Sequence, residues 1–302
     1  MRYIVETNAL SKTYGKRTVV DHISLRVPEG CVYGFIGPNG AGKSTTMKLL
    51  LGLVKPTDGQ IEILGNSMNE RNRLTLLRQT GSLIESPSCY GHLTAQENLE
   101  IVADLKGVPK KDIDRVLEIV GLANDRKQRV KQFSLGMKQR LGIAQALLGD
   151  PRLLILDEPT NGLDPAGIQE MRTLIRSMPE RCGATVLLSS HLLGELEQIV
   201  DRVGVINKGR LLFQGELHEL QRHSRGAVSL RVLHPEKALP VLLTHGAAAQ
   251  DGSCFTLPAL SDGQLAQLTE QLAASHAGIV ALTRHTKSLE EIFFHITGEA
   301  GA

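Results

Sequence analysis

The chain has 302 residues, 41% of them hydrophobic and 22% charged, enough to build a sizeable core, which rules out a short peptide or a disordered tail. Its 34 Lys and Arg against 32 Asp and Glu leave a formal net charge of +2. No global basic field therefore points to nucleic acid or an anionic membrane surface, and no nucleic-acid partner is expected. No run approaches the roughly 18 uninterrupted apolar residues of a membrane helix, and the first ten residues lack the layout of a signal peptide, so a soluble intracellular chain is expected. Cys31, Cys89, Cys182 and Cys254 are far apart with no CxxC spacing, which suggests neither a disulfide framework nor a zinc site.

Up to about Gly65 the sequence predicts strands around one short helix. Ile4-Val5 and residues 32–36 and 61–64 are β-rich runs punctuated by Gly, Pro and Asp. From Thr94 to about Leu148 the pattern turns helical. Thr94 and Glu97 make a capping-box pair ahead of Leu99, Val102 and Ala103, and Gly107-Val108-Pro109 supplies the stop. Ile113, Val116, Leu117 and Val120 recur at helical spacing before Gly121, and residues 134–148 make a further helix. Strand character resumes at 153–156 and 185–189 with a helix near 168–178 between them, the rhythm of a parallel sheet. The basic stretch from Lys106 to Lys131 reads as a solvated helical face rather than a lipid headgroup patch.

After Gly215 the texture shifts, and the polar stretch 221–226 reads as a linker, giving domains at 1–221 and 227–302. The second domain predicts strand 228–233, helix 238–243, strand 254–257, helix 265–274 and strand 279–283. A last helix opens on the capping box of Ser288 and Glu291 before Ile292, Phe293 and Ile296.

Two motifs carry chemistry. Gly37-Pro38-Asn39-Gly40-Ala41-Gly42-Lys43-Ser44 fits the phosphate-loop pattern G-x-x-x-x-G-K-[ST], between the apolar run 32–36 and a helical stretch that begins at Thr45. Its glycines let backbone N–H groups turn inward on a polyanion, the helix N-terminus adds partial positive charge, Lys43 reaches the outer phosphates, and Ser44 can ligate Mg2+. Residues 153–156 are an apolar run ending in Asp157-Glu158, which places two acids at the C-terminal edge of a parallel strand, where phosphates lie. Asp157 can hold Mg2+ there, and Glu158 can take a proton from an attacking water.

Through these motifs and others, in order over about residues 1–220, the chain resembles the ATP-binding subunits of ABC transporters. The resemblance implies an α/β P-loop NTPase fold with a parallel core sheet, an antiparallel β portion and a helical insert at about 94–148, followed by a small C-terminal α+β domain. It implies that residues Gly37 through Thr45 bind ATP. Ser134-Leu135-Gly136-Met137 stands at the signature position LSGGQ, whose serine and second glycine contact the ATP held by a partner subunit. Asn161-Gly162-Leu163-Asp164 looks like the D-loop, with Asp164 its acid, and His191 looks like the histidine that senses the γ-phosphate. Tyr14 matches the aromatic that stacks on adenine. Leu135 and Met137 depart from the signature's first glycine and its glutamine. A further departure is Glu85, which stands seven residues before His92, where the family carries a glutamine; a carboxylate accepts but does not donate hydrogen bonds and brings negative charge near Mg2+ and phosphate. That glutamate, in Leu83-Ile84-Glu85-Ser86-Pro87 with Tyr90 beyond it, is similar to the branch serving bacitracin-type and lantibiotic-immunity exporters, and so is the ending Ser288-Leu289-Glu290-Glu291-Ile292-Phe293.

The resemblance implies an ATPase subunit that powers a separately encoded integral-membrane permease from the cytoplasmic face of the membrane, exporting a peptide antibiotic or another hydrophobic drug. Glu158 would be the general base, Ser44 and Asp157 the Mg2+ ligands, Lys43 would neutralise the phosphates, and His191 with the partner's Ser134 would complete the clamp around them. One chain carries one phosphate loop and one signature, so a head-to-tail homodimer is expected. Two other readings stay open: a soluble ATPase of this type that acts on ribosomes or DNA, and an ATP-gated dimerisation or signalling module.

Overall fold

The computed structural model describes residues 2–191, 194, 197–222, 225–246 and 249–286. Its first unit, Met1–Leu217, opens with the antiparallel strands β1 (Tyr3–Tyr14), β2 (Arg17–Ile23) and β3 (Arg26–Pro28). Strand β4 (Val32–Ile36) then runs into α1 (Lys43–Leu50), and β5 (Asp58–Ile63), β6 (Asn66–Ser67), α2 (Arg73–Arg78) and β7 (Thr80–Leu83) follow. The helical portion is α3 (Ala95–Lys106), α4 (Asp112–Ile119), a 3-10 turn at Val130–Gln132 and α5 (Leu135–Leu147). After it come β8 (Leu153–Asp157), α6 (Pro165–Cys182), β9 (Thr185–Ser190), β10 (Arg202–Asn207) and β11 (Arg210–Glu216).

These strands form two sheets. One is antiparallel, in the order β2-β1-β5-β6 with β3 also on β1; the other runs β11-β10-β4-β9-β8-β7. Strands β10, β4, β9, β8 and β7 are mutually parallel, and β11 closes one edge antiparallel to β10. Every residue of β4, β8 and β9 is buried, which explains why β4 and residues 153–156 of β8 read as unbroken apolar runs rather than alternating ones. Between the sheets, Val5, Leu10, Ile23 and Val27 join Tyr33, Phe35, Ile155 and Leu187 in one core with Met47, Leu49 and Leu50 of α1. Each such side chain contributes about 1.5–3 kcal/mol by leaving water, so α1 and the loop before it are anchored to both sheets.

The helical portion forms as its caps require. Thr94 Oγ1 accepts from the Glu97 N–H at 3.2 Å while Glu97 Oε2 accepts from the Thr94 N–H at 2.7 Å, and α3 ends on Gly107 at φ +68. The basic stretch is a partial correction. Lys106 turns inward and donates to the carbonyls of Gln145 at 3.2 Å and Leu148 at 3.1 Å, and Arg115 donates to that of Leu147 at 3.1 Å. Both cations therefore cap the open C-terminal carbonyls of α5, where the helix dipole is negative, rather than facing solvent.

The second unit, His218–Ala302, also corrects the expected linker. Helix α7 (Leu217–Arg222) occupies its first part and β12 (Arg225–Val232) begins within it. Leu217 and Leu220, three apart, give that turn an apolar side that the polar residues around it hide from a composition reading, and Leu220 is buried. Next come α8 (Pro235–Thr244), β13 (Ala249–Asp251), β14 (Cys254–Leu257), α9 (Asp262–Ala274) and β15 (Ile279–Thr286). The order β13-β14-β12-β15, with β13 paired to β14 and β12 antiparallel to both β14 and β15, is the split β-α-β arrangement of a ferredoxin-like unit. Val228, Leu230, Phe255, Leu257, Leu268 and Leu272 form its separate core. The helix expected at Ser288 to Ile296 lies outside the described residues.

Candidate functional site

The strand order builds the site. Because β4, β9, β8 and β7 are neighbours in that order, the segments leaving their C-terminal ends are neighbours too: the phosphate loop after β4, His191 after β9, Glu158 after β8 and Glu85 after β7. This is where a parallel sheet opens a crevice for ligands.

The loop from Gly37 to Gly42 is fixed by backbone contacts that no side chain would tolerate. A Cβ at Gly37 would stand 2.3 Å from the Ile206 carbonyl oxygen, and Gly42, at φ +109, has the Val19 carbonyl 2.6 Å from the position of its missing Cβ. The Ala41 carbonyl accepts from the Gly209 N–H at 2.9 Å, and the Pro38 carbonyl accepts from the Ala41 N–H at 3.1 Å. Gly42 is also the N-cap of α1 and gives it no side-chain cap, so the first N–H groups of the helix are left for an anion. A cavity of about 270 Å3 lies over them, lined by Asn39, Gly40 and residues 42–45 with Arg17, Val19 and Glu158.

Lys43 is buried. Its ammonium donates to the carbonyls of Gly37 at 2.8 Å and Pro38 at 3.1 Å, and Glu158 Oε1 stands 3.5 Å away. Burial lowers its pKa below that of an ordinary lysine, against the opposing pull of Glu158 and Asp157. On its other side, Glu158 Oε2 is 3.1 Å from His191 Nδ1, so the carboxylate is bracketed by two nitrogens. Glu158 itself lies at φ +47, a left-handed conformation that costs an L-residue about 1–3 kcal/mol and recurs at functional sites.

One buried hydroxyl orients both acids. Ser189 Oγ donates to Asp157 Oδ1 at 2.6 Å and accepts from the Glu158 N–H at 2.9 Å. Asp157 and Ser44 are oxygen donors, the type a hard cation such as Mg2+ takes. Among the described residues there is no group of three or more His, Cys, Asp or Glu able to hold a metal. A carboxylate plus a hydroxyl completed by phosphate oxygens therefore fits this chain better than an all-protein cage.

The remaining candidate residues stand outside the cavity lining. Tyr14 is half-exposed, with the Lys12 ammonium 4.9 Å from its ring centroid, and pairs across the β1-β2 hairpin with Arg17, which does line the cavity. Glu85, at φ +64, accepts from Lys48 Nζ at 2.7 Å, which holds its carboxyl below the usual range. Ser134 caps α5, accepting from the Met137 N–H at 3.2 Å. Leu135 reaches to 3.1 Å from the Cβ position of Gly162, and Asp164 caps α6 by accepting from the Gly167 N–H at 3.0 Å. The signature and D-loop thus lie against each other, and neither contributes to the lining of the phosphate-loop cavity. Arg17, Ser189 and Lys48 are the residues sequence reasoning missed. The one local signal was the short step from Tyr14 to Arg17 across a hairpin; the other two come together only through sheet order.

Comparison with known proteins agrees with this geometry. The family described as ABC transporter matches residues 20–161. The chain is 45% identical to the bacitracin transport ATP-binding protein BcrA of Bacillus licheniformis, over 99% of this chain and 98% of that protein. It is 50% identical to the lantibiotic transport ATP-binding protein SrtF of Streptococcus pyogenes, over 68% of this chain and 88% of that one. Among solved structures, CbiO1 from Clostridium perfringens, part of the ABC transporter complex CbiONQ, superposes with a TM-score of 0.68 at 27% identity, covering 73% of this chain and 91% of that one.

Proposed function

This chain belongs to the family of ABC transporter ATP-binding proteins and is an ATPase, and we propose that it powers the export of a peptide antibiotic through a separately encoded membrane permease. The observation that carries the chemistry is Glu158, held between Lys43 at 3.5 Å and His191 at 3.1 Å on the rim of the phosphate loop. In this reading, the N–H groups at the start of α1 and the Lys43 ammonium bind the phosphates. Glu158 accepts the proton of the water that attacks the γ-phosphate, and His191 beside it faces the transferred group. Ser189 keeps Asp157 and Glu158 at fixed angles. Mg2+ held by Ser44, Asp157 and phosphate oxygens would neutralise charge on the phosphates. Arg17 and Tyr14, on one hairpin beside the cavity, would meet the base and ribose side of ATP.

The signature residues Ser134, Leu135, Gly136 and Met137 are exposed or half-buried away from the cavity of their own chain. They are therefore free to meet the ATP of a second copy, with Ser134 of the partner subunit supplying a hydroxyl and a helix N-terminus to the γ-phosphate. No helix among the described residues is long and apolar enough to cross a membrane; the chain would reach the cytoplasmic face through the permease. The cargo assignment leans on the likeness to a bacitracin transport protein along nearly the whole chain, the second unit included. The named relatives are transport proteins, which argues against action on ribosomes or DNA.

The test is to express the chain with its neighbouring permease, ask whether the two copurify from membranes, and challenge the cells with bacitracin, a lantibiotic and an unrelated lipophilic drug. Copurification, with protection against a peptide antibiotic that Glu158→Gln abolishes, is the expected result. A chain that stays out of membranes and pulls down ribosomes or DNA would overturn the proposal.

A further inference from the structure

Lys48 takes no part in the chemistry above, yet its place is defined. It lies five residues after Lys43 in α1, and its ammonium donates to Glu85 Oε1 at 2.7 Å. Glu85 sits at φ +64, a conformation that non-glycine residues keep only where the surroundings hold it. Beyond it, the loop is held against α5. A Cβ at Gly142 would come within 3.1 Å of Pro87, so the proline ring packs directly on the helix backbone, and Cys89 Sγ is 3.9 Å from Gln145 Oε1. The Glu85 carboxylate is therefore held between an ion pair to the phosphate-loop helix and a proline seated on the signature helix.

The charges at this end of the sheet divide between two lysines. Lys43 faces Glu158, while Lys48 faces Glu85, and the negative charge of Asp157 also favours its ammonium form. A triphosphate arriving here adds further negative charge, and a third carboxylate with no cation would repel it. Because the Lys48 side chain is 33% exposed and that of Glu85 68%, their pairing adds little to folding stability. Its consequence lies in the local field.

We propose that Lys48 is a positioning residue for ATP, which neutralises Glu85 and holds it clear of the phosphates, so that a carboxylate can stand in this loop without weakening nucleotide binding. The inference rests on the ATPase reading above. It is tested on the full chain by calorimetric titration with the non-hydrolysable analogue AMP-PNP in the presence of Mg2+, comparing Lys48→Met, Lys48→Arg, Glu85→Gln and the Lys48→Met/Glu85→Gln double variant. Lys48→Met weakens binding by about threefold to tenfold, while Lys48→Arg, which keeps the charge, stays within about twofold. In the Glu85→Gln background, Lys48→Met has no further effect. The loss in Lys48→Met shrinks as sodium chloride is raised, and the thermal midpoint does not move. Equal weakening by Lys48→Met with and without Glu85→Gln, or no weakening at all, would overturn the inference. An unmodified chain that binds no nucleotide would overturn the ATPase reading itself, and this inference with it.

Discussion

At Gly42 two requirements meet in one residue: a left-handed backbone at φ +109 and a carbonyl, that of Val19, 2.6 Å from the position of any Cβ. Gly42→Ala is therefore expected to cost about 1–3 kcal/mol in urea unfolding and to abolish ATP binding, because the strain can relax only by moving the loop that holds the N–H groups. Lys43 next to it makes a pH prediction. Burial lowers its pKa in the folded chain below the ordinary 10.5, so its ammonium loses its proton at a lower pH than an exposed lysine would. A bound triphosphate stabilises the charged form and draws the proton back. ATP binding is thus expected to take up a proton in the alkaline range around and above the lowered pKa of the free chain, and to weaken as pH rises through that range. Titrations in two buffers of different ionisation enthalpy would read the uptake, and proton release would contradict it. The cysteines differ in the same physical way. Burial raises the Cys31 thiol to about 11 and those of Cys89 and Cys182 by less, while Cys254 is exposed. Brief treatment with iodoacetamide at pH ~8 should therefore modify Cys254 first, as peptide mapping would show.

At the scale of elements, the contact between α5 and β7 decides where the Glu85 loop starts. A Cβ on Gly81 would fall 2.2 Å from the Ala146 carbonyl oxygen of α5 and 2.7 Å from Leu154 Cδ2 of β8, so strand and helix meet backbone to backbone with no slack. Gly81→Ala is expected to destabilise the chain by about 1–3 kcal/mol in denaturant titration, whereas Thr94→Ala, which removes one cap at the surface, should cost about 1 kcal/mol. These elements were legible in the sequence to different degrees. The phosphate loop, the Asp157-Glu158 strand end and the Thr94 capping box were legible because each is a local pattern whose chemistry is complete within eight residues. Strands β7, β10 and β11 went unread; β7, with Thr80, Gly81 and Ser82 before one leucine, carries neither alternation nor an apolar run. The strand order was not legible either, and with it went Ser189 and Lys48. Their roles depend on β9 lying between β4 and β8 and on β7 lying beside β8, which no sequence period records.

Among the described residues, one core lies between the sheets of Met1–Leu217 and another, separate from it, within the ferredoxin-like unit. Two separate cores predict more than one transition in calorimetric unfolding, with ATP raising only the one that belongs to the phosphate-loop unit; a single two-state transition would contradict this. Because the signature lies apart from its own chain's phosphate cavity, the proposed ATPase cycle takes two copies, and the acid proposed at its centre is Glu158. The most direct test of the account is therefore the steady-state ATP turnover of Glu158→Gln against the unmodified chain, with ATP binding measured on the same samples. The account predicts turnover lowered by about 10²–10⁴ while Mg-ATP still binds, the signature of a lost general base. Turnover unchanged by the substitution would remove Glu158 from that role and contradict the mechanism.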